Sequence, residues 1–215
     1  MPAFDRHVFI NCPFDDAYLE LARPLLFTVF YLGLRPRIAL ERSDSGEQRF
    51  RKIVELIKGS RFGIHDLSRC QAKSAGELFR LNMPLELGID LGCRLFGRAK
   101  WGRKRCLILE TRRFRFQKTI SDLAGCDIRA HKNNPKELIR AVRDWLVQEA
   151  KAPHVSPSEI KARFEDFMAA HHDKLRVEGY TFADIRRLPL DELKRAMEHW
   201  IATIKPPAAR RGSTK

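Results

Sequence analysis

Long apolar runs and paired cysteines are missing from this chain, acidic residues are few relative to basic ones, and each of these features narrows the class of protein. No stretch reaches 18 consecutive apolar residues, so we expect no transmembrane helix and no membrane partner. Residues 1–7 run straight into a strand-like segment and do not predict a signal peptide. The five cysteines are dispersed without a C-x-x-C pair. That pattern predicts reduced thiols and a cytoplasmic protein, with neither a disulfide framework nor a metal site.

The excess of basic over acidic residues leaves the chain strongly basic. It has 41 Lys and Arg against 27 Asp and Glu, giving a net charge of +14. Segment 98–118 alone contains nine basic residues and one acidic residue. Such a segment can bind nucleic acid or phosphate, or can simply be a solvated basic surface. No helix-turn-helix, RNP or zinc-finger pattern accompanies it, so a nucleic-acid partner through 98–118 stays an open alternative.

The apolar pattern predicts alternating strands and helices over residues 7–149. The predicted strands are 7–11, 35–40, 62–65, 105–109 and 127–130. The predicted helices are 16–31, 46–58, a segment from 82 to about 96, 116–123 and 135–149. Strands that alternate with helices pair in parallel through right-handed crossovers. We therefore predict an α/β fold with a doubly wound, flavodoxin-like sheet of five strands in the order 2-1-3-4-5.

The prolines and the composition divide the chain into three parts. Residues 1–150 form the predicted α/β domain, and residues 151–158 form a linker that contains two prolines. Residues 151–205 form a helical appendage with predicted helices at 157–175 and 190–204. We expect the appendage to pack on the main domain or to mediate homo-oligomer formation. Residues 206–215 are predicted to be a disordered basic tail.

Ligands of doubly wound sheets bind beyond the carboxyl ends of the strands, where the strand order reverses between strands 1 and 3. The segments that follow these strands supply the predicted binding residues Asn11, Cys12, Pro13, Phe14 and Ser68. Asp66, at the end of strand 3, is placed to orient a ribose.

Each of these residues also has a simpler interpretation. Cys12 is a nucleophile or a small buried residue, and Phe14 either stacks on a base or belongs to the core. Asp66 binds ribose hydroxyls or caps the following turn. A receiver-type phosphoacceptor is disfavoured at Asp66, because no acidic pair directly ends strand 1 and no Lys-Pro follows strand 5. Arg37 and Arg61 clamp a phosphate or lie on the surface.

The segment 82–92 carries one carboxylate near the predicted start of a helix. Asn82 is suited to be the N-cap and a ligand contact, and Pro84 is suited to the first helical positions. Glu86 then lies near the positive end of the helix. A carboxylate held there can stabilise or attack the cationic sugar that forms when a bond to ribose breaks. The alternative is that Glu86 only complements the helix dipole.

Three further residues on this helix are ambiguous. Gly88 and Gly92 lie four residues apart, and glycine costs about 1 kcal/mol in a helix interior. We therefore expect another backbone or a ligand to approach closely there, with helix–strand packing the favoured cause. Asp90 is either a second carboxylate of a pair with Glu86 or an exposed polar position, and we favour exposure.

Four segments together resemble a bacterial family of proteins like the Toll/interleukin-1 receptor (TIR) domain. They are VFINCPF (8–14), SRFGIHDLSR (60–69), NMPLELG (82–88) and ISDLAG (120–125). The first strand and loop, and the run from Asp66 to Gly88, also resemble nucleoside 2-deoxyribosyltransferases. The strand-1 loop departs from that second family, having Asn-Cys-Pro in place of a Gly-Pro type of turn.

The resemblance implies a catalytic role for Glu86, since both families place a catalytic glutamate on this helix. It also implies that Asp66, Asn11 and Phe14 occupy ligand-loop positions. The implied activity is an N-glycosidase acting on NAD or a nucleotide, with no further cofactor, in a bacterial defence or signalling effector. The alternative is a non-catalytic TIR-like module that binds a nucleotide or assembles with copies of itself.

Overall fold

The computed structural model describes residues 3–70, 81–115 and 120–204. The strands are β1 (His7–Asn11), β2 (Arg35–Arg37), β3 (Phe62–Asp66), β4 (Arg105–Glu110) and β5 (Ile128–Ala130). The helices are α1 (Ala3–Arg6), α2 (Leu19–Tyr31), α3 (Arg49–Lys58), α4 (Asn82–Phe96), α5 (Pro135–Ala150), α6 (Pro157–Val177), α7 (Phe182–Arg186) and α8 (Leu190–Thr203). Short 3₁₀ turns occupy Asp16–Tyr18, Ala39–Glu41, Ala99–Arg103 and Ser121–Leu123.

The strands form one parallel sheet in the order β2-β1-β3-β4-β5, which confirms the predicted fold class. β1 lies between β2 and β3, and its last residue, Asn11, is paired with His65 of β3. Asp66, the last residue of β3, is paired with Leu109 of β4. The carboxyl ends of β1 and β3 therefore lie side by side at the predicted switch point.

Alternation along β1 distributes its side chains between the two faces of the sheet. Val8 and Ile10 pack in the core formed with α2 and α5. Phe9 points the other way and packs with Ile53 and Ile57 of α3. α4 also covers this second face, with α3 beside it. Both faces of β1 are thus buried, which explains the apolar sequence HVFIN.

The C-terminal helices pack on the α/β domain, as predicted, and share its core. Phe27 of α2 lies 5.5 Å from the ring of Phe164, 5.9 Å from Phe167 and 6.0 Å from Trp200. An ion pair also joins the two parts, because Nζ of Lys194 in α8 lies 2.8 Å from the carboxylate of Glu41. Because one apolar core spans both parts, the helices complete a face of the main domain. Homo-oligomer formation stays a prediction.

The start of α4 differs from our prediction. Its N-cap is Leu81, without a side-chain cap hydrogen bond, and Asn82 is the first helical residue rather than the cap. Pro84 is consequently the third residue, where its missing N–H still leaves no intrahelical hydrogen bond unmade. Close packing around Gly88 was also wrongly expected, because a Cβ added there would meet nothing within 4 Å.

Some other predicted elements are shorter in the structure, and some lie wholly or partly outside the described ranges. The predicted helix 116–123 includes residues 116–119, which are not described, and only the Ser121–Leu123 turn is observed. Residues 71–80, between the third predicted strand and the predicted helix that begins at 82, and the whole predicted tail 206–215 also lie outside the described residues. No helix in the described ranges combines the length and apolar character needed to cross a bilayer.

Candidate active site

Glu86 lies in a cavity of about 510 Å³ beyond the carboxyl end of β1. Five of the predicted binding residues line this cavity together with it, namely Asn11, Cys12, Pro13, Phe14 and Asn82. The remaining walls are Ile10, Ala39, Leu40, Arg49, Leu81 and Met83. The volume falls within the range usual for small-molecule sites, and the walls combine polar and apolar groups.

Helical periodicity explains why Glu86 points inward. The buried residues of α4 are Met83, Glu86, Leu87 and Asp90, a spacing that defines a single helix face. Leu85, beside Glu86 in sequence, is 55% exposed on the opposite side. Glu86 itself is only 9% exposed. A carboxylate therefore occupies a position that the helix pattern would normally assign to an apolar residue.

The protein surroundings of Glu86 favour the protonated form of its carboxyl group more than water does. Burial raises the pKa of this carboxyl group to about 7, and the positive charge of Arg49 opposes that increase only in part. Glu86 therefore titrates near neutral pH, whereas an ordinary glutamate is fully ionised there. A developing positive charge in the cavity would favour the ionised form.

Asn11 fixes the geometry between β1 and α4. Its Nδ2 donates to the main-chain oxygen of Met83 at 2.9 Å and to Nδ1 of His65 at 3.0 Å. The side chain is 3% exposed. Both amide hydrogens are thus committed to the protein, so Asn11 contributes to the cavity wall mainly by positioning the start of α4.

Asp66 does not line the Glu86 cavity, because protein groups surround its carboxylate. Oδ1 accepts from the main-chain N–H of Ser68 at 2.8 Å, which matches the turn-capping interpretation. Oδ2 accepts from the Tyr18 hydroxyl and lies 3.1 Å from His131 Nε2. Burial alone would raise the pKa of Asp66, but these contacts outweigh it and hold the pKa below its ordinary value.

Ser68 likewise stays outside the Glu86 cavity. Its main-chain oxygen accepts from Arg115, whose guanidinium also pairs with Glu110 at 2.7 Å. This network joins the segment after β3 to the end of β4. The strand ends predicted the correct edge of the sheet for both Asp66 and Ser68, but not the direction of their side chains.

Our expectation that Asp90 is exposed was wrong, because this residue is fully buried. Oδ2 accepts from Nε2 of His65 at 2.9 Å, and Oδ1 lies 3.0 Å from Nζ of Lys104. Burial alone would raise the pKa of Asp90, but His65 and Lys104 lower it below its ordinary value. Asp90 is therefore an internal counter-ion rather than a partner carboxylate within the Glu86 cavity.

Three side chains that could bind a metal come together around Asp90, although their spacing in the sequence does not predict a metal site. Ligand atoms of His65, Asp90 and Cys106 lie within 4.8 Å of one another. The ammonium of Lys104 already supplies a positive charge to this cluster. These contacts form an internally compensated polar network, and we assign no metal to it.

Two cavity residues bear on the chemistry of the site. Burial, together with Asp66 and Glu86, raises the pKa of Cys12 well above its ordinary value, so its thiol stays protonated at neutral pH. This favours the interpretation of Cys12 as a buried wall residue over that of a nucleophile. Arg49, which the sequence did not single out, is an exposed cation on the cavity wall, at the start of α3.

The arginines considered as phosphate clamps lie elsewhere. Arg37 Nε donates to Glu41 at 2.7 Å, and Arg61 lies 3.3 Å from Asp5. Neither lines the Glu86 cavity. Arg49 was missed because an arginine in the first turn of an amphipathic helix gives no signal of its own. Only the packing of α3 beside α4 brings it to the cavity.

The basic segment 98–118 does not form one continuous patch in its described part. Residues 98–104 precede β4 and residues 111–115 follow it. The intervening strand separates the two groups by roughly 20 Å. The second group contributes Arg112 and Arg113 to a separate groove of about 810 Å³ that also contains Arg129. Nucleic-acid binding stays a prediction, and this groove is the better location for it.

Comparison with models of protein families, with curated proteins and with solved structures finds no match to this chain.

Proposed function

We propose that this protein cleaves the bond between base and ribose in NAD or a related nucleotide, with Glu86 as the key carboxylate. The observation that carries the proposal is the position of Glu86, itself only 9% exposed, in a cavity at the switch point. It shares that cavity with the predicted residues 11–14 and has a pKa raised to about 7 by burial. The resemblance to TIR-like proteins and deoxyribosyltransferases independently points to the same glutamate.

The cavity favours a substrate whose base leaves without help from an acid. Among the described residues that line the cavity, Glu86 is the only carboxylate, since Asp66 and Asp90 are held in separate networks. Glycoside cleavage by two carboxylates assigns one of them to protonate the leaving group. Nicotinamide in NAD already carries a positive charge on its ring nitrogen and departs as a neutral molecule. A single carboxylate is therefore sufficient for NAD, which we favour over purine nucleosides.

The reaction follows from the charge of the transition state. As the bond between C1 and the base nitrogen breaks, its electron pair leaves with the base and positive charge develops on the ribose. Ionised Glu86 stabilises that charge electrostatically or adds to C1 as an ester. Water then supplies oxygen to C1 and releases one proton. The buried apolar side chains of Ile10 and Met83 strengthen the attraction by making this part of the wall less polar than water.

Two cavity residues would orient the substrate. Phe14 offers a ring against which a base can stack, and the cationic Arg49 can attract a phosphate group. Arg49 makes no ion pair or hydrogen bond with any residue in the described ranges. Its charge is therefore available to a ligand.

The test is a substrate panel with mass-spectrometric detection of the released base. NAD, NADP, purine nucleotides and deoxynucleosides would be incubated with the wild type, Glu86→Gln and the control Glu137→Gln, which removes a carboxylate outside the cavity. We expect release of nicotinamide by the wild type and the control, and a loss of at least about 100-fold in Glu86→Gln. Equal release by all three proteins, or no release from any substrate, would contradict the proposal.

The burial of Asp66 gives specific support to the alternative of a non-catalytic nucleotide-binding module. The carboxylate expected to orient the ribose is closed off by Tyr18, Ser68 and His131. A module would bind NAD saturably in calorimetry and release no base. Its affinity would change little in Glu86→Gln, whereas Arg49→Met would weaken it.

A further inference from the structure

A second cavity, of about 450 Å³, lies where α2 meets the C-terminal helices. One wall belongs to the α/β domain through Arg23 of α2. The other walls come from α6, α7, α8 and the turn before α8. They are mainly apolar and include Met168, Ala169, Phe182, Ile185, Leu188 and Leu193. This cavity shares no residue with the Glu86 cavity.

Among the described residues that line the second cavity, the polar ones are all basic. They are Arg23, His171, His172 and Arg186, and no Asp or Glu of the described ranges lines the cavity with them. Burial and the charge of Lys174 lower the pKa of His171, against the opposing charges of Glu192 and Glu178, and none of these three charged residues lines the cavity. A mainly apolar space with basic groups and no acid is complementary to an anion that carries an apolar body.

Arg23 lacks a partner although it is half-buried. Its guanidinium makes neither a hydrogen bond nor an ion pair with any residue in the described ranges, and Nε is shielded from solvent. Burial lowers the pKa of Arg23, which reflects the cost of keeping this charge away from water. Buried polar atoms are normally paired, because an unpaired one costs about 1–3 kcal/mol.

His171 repeats this pattern on the opposite wall. Its ring stacks on Phe167 with centroids 5.4 Å apart and planes 11° from parallel, so its orientation is fixed. Its Nε2 is buried and has no hydrogen-bond partner among the described residues. Two unpartnered side-chain nitrogen atoms from different elements therefore line one apolar space.

We infer that this cavity binds an amphiphilic carboxylate, with the carboxylate on Arg23 and His171 and its chain along α6, α7 and α8. Arginine presents a planar fork of donors that matches the two oxygens of a carboxylate. A single negative charge on a mostly apolar molecule fits these walls better than a phosphate dianion, which would need more donors. Because the site joins α2 to α6, its occupant would bridge the two parts of the chain.

The experiment uses the full chain and the defined probe decanoate, below its micelle concentration, in calorimetric titrations. Decanol, decylammonium and decyl phosphate test the charge. Arg23→Met removes the guanidinium and keeps an unbranched apolar side chain, and His171→Phe keeps the stacked ring. The matched control is Arg51→Met, since the Arg51 side chain is 76% exposed on α3.

We expect decanoate to bind the wild type with one molecule per chain and to raise its melting temperature. Arg23→Met should weaken binding by at least about tenfold, as expected for the loss of a charged hydrogen bond. His171→Phe should weaken it by a smaller factor, and Arg51→Met should leave it unchanged. Decanol should bind more weakly, and decylammonium should not bind.

Four results would overturn the inference. The first is no binding of decanoate by the folded wild type, and the second is equal binding by the wild type and Arg23→Met. The third is tighter binding of decyl phosphate than of decanoate, which would assign the site to a phosphate ligand. The fourth is a combination of two observations: decanoate fails to bind, and the protein self-associates in a way that Ile185→Trp abolishes. This result would assign the cavity to a second copy of the chain. None of these results depends on cleavage by Glu86.

Discussion

The side-chain amide of Asn11 and the main-chain carbonyl of Met83 are joined by a hydrogen bond of 2.9 Å. This bond attaches the end of β1 to the first turn of α4. Glu86 follows Met83 by three residues, so both lie on the same face of the helix. The position of the candidate catalytic carboxylate is therefore linked to the strand on which the ligand loop begins.

Replacing Asn11 with Ala should loosen this junction. The carbonyl of Met83 and Nδ1 of His65 would each lose a buried donor, so the free energy of unfolding should fall by about 1–3 kcal/mol. Urea denaturation measures the change. Asn82→Ala is a matched control in the same cavity, because Asn82 is exposed and does not cap α4. An equal loss in both variants would contradict the structural role of Asn11.

Gly63 should tolerate no side chain. A Cβ added there would clash with Oδ2 of Asp90 and lie 2.8 Å from Nε2 of His65. Both neighbours are buried and held in one hydrogen-bond network, so Gly63→Ala should destabilise the protein by about 1–3 kcal/mol. Gly88→Ala should instead stabilise it by about 0.5–1 kcal/mol, because position 88 is helical and open. Thermal denaturation of the two variants should give shifts of opposite sign.

Lys104 should be needed as the counter-ion of Asp90. Both side chains are fully buried, and Nζ lies 3.0 Å from Oδ1. Lys104→Met leaves a buried carboxylate with less compensation and should cost about 3–5 kcal/mol of unfolding free energy. Adding Asp90→Asn should recover part of that loss. Lys174→Met, at a position where the side chain is 68% exposed, should change little. A similar small effect at both lysines would contradict the buried pair.

The carboxylate of Glu86 should reduce stability at alkaline pH. Its pKa in the folded protein is about 7, against an ordinary value of 4.5. The folded state therefore binds more protons than the unfolded state between these values, and stability falls as pH rises through this window. Glu86→Gln should exceed the wild type by about 1–3 kcal/mol at pH 8, and the difference should vanish near pH 4. A difference that is constant from pH 4 to pH 8 would contradict the raised pKa.

The sheet order could be predicted because periodicity and parallel pairing leave few arrangements. HVFIN and RCLIL are short apolar runs bounded by polar residues, and both form central strands where we expected them. The same logic correctly located the switch point and brought residues 11–14 near Glu86.

The charged interior could not be predicted because polarity along a sequence does not report tertiary partners. Asp90 was expected at the surface, yet His65 and Lys104 make its burial tolerable. Lys104 itself lies within the most basic segment of the chain and is fully buried. Asp66 is closed off by Tyr18 and His131, which are 48 and 65 positions away in the sequence. Such pairings depend on the fold as a whole.

The most direct test of the central claim is the pH dependence of kcat/KM for nicotinamide release from NAD. If ionised Glu86 carries the reaction, the rate should rise tenfold per pH unit at low pH and level off above about pH 7, which is the pKa that burial gives this group. Glu86→Gln should be inactive across the whole range. A flat profile, a rate that falls above pH 7, or substantial activity in Glu86→Gln would contradict the account.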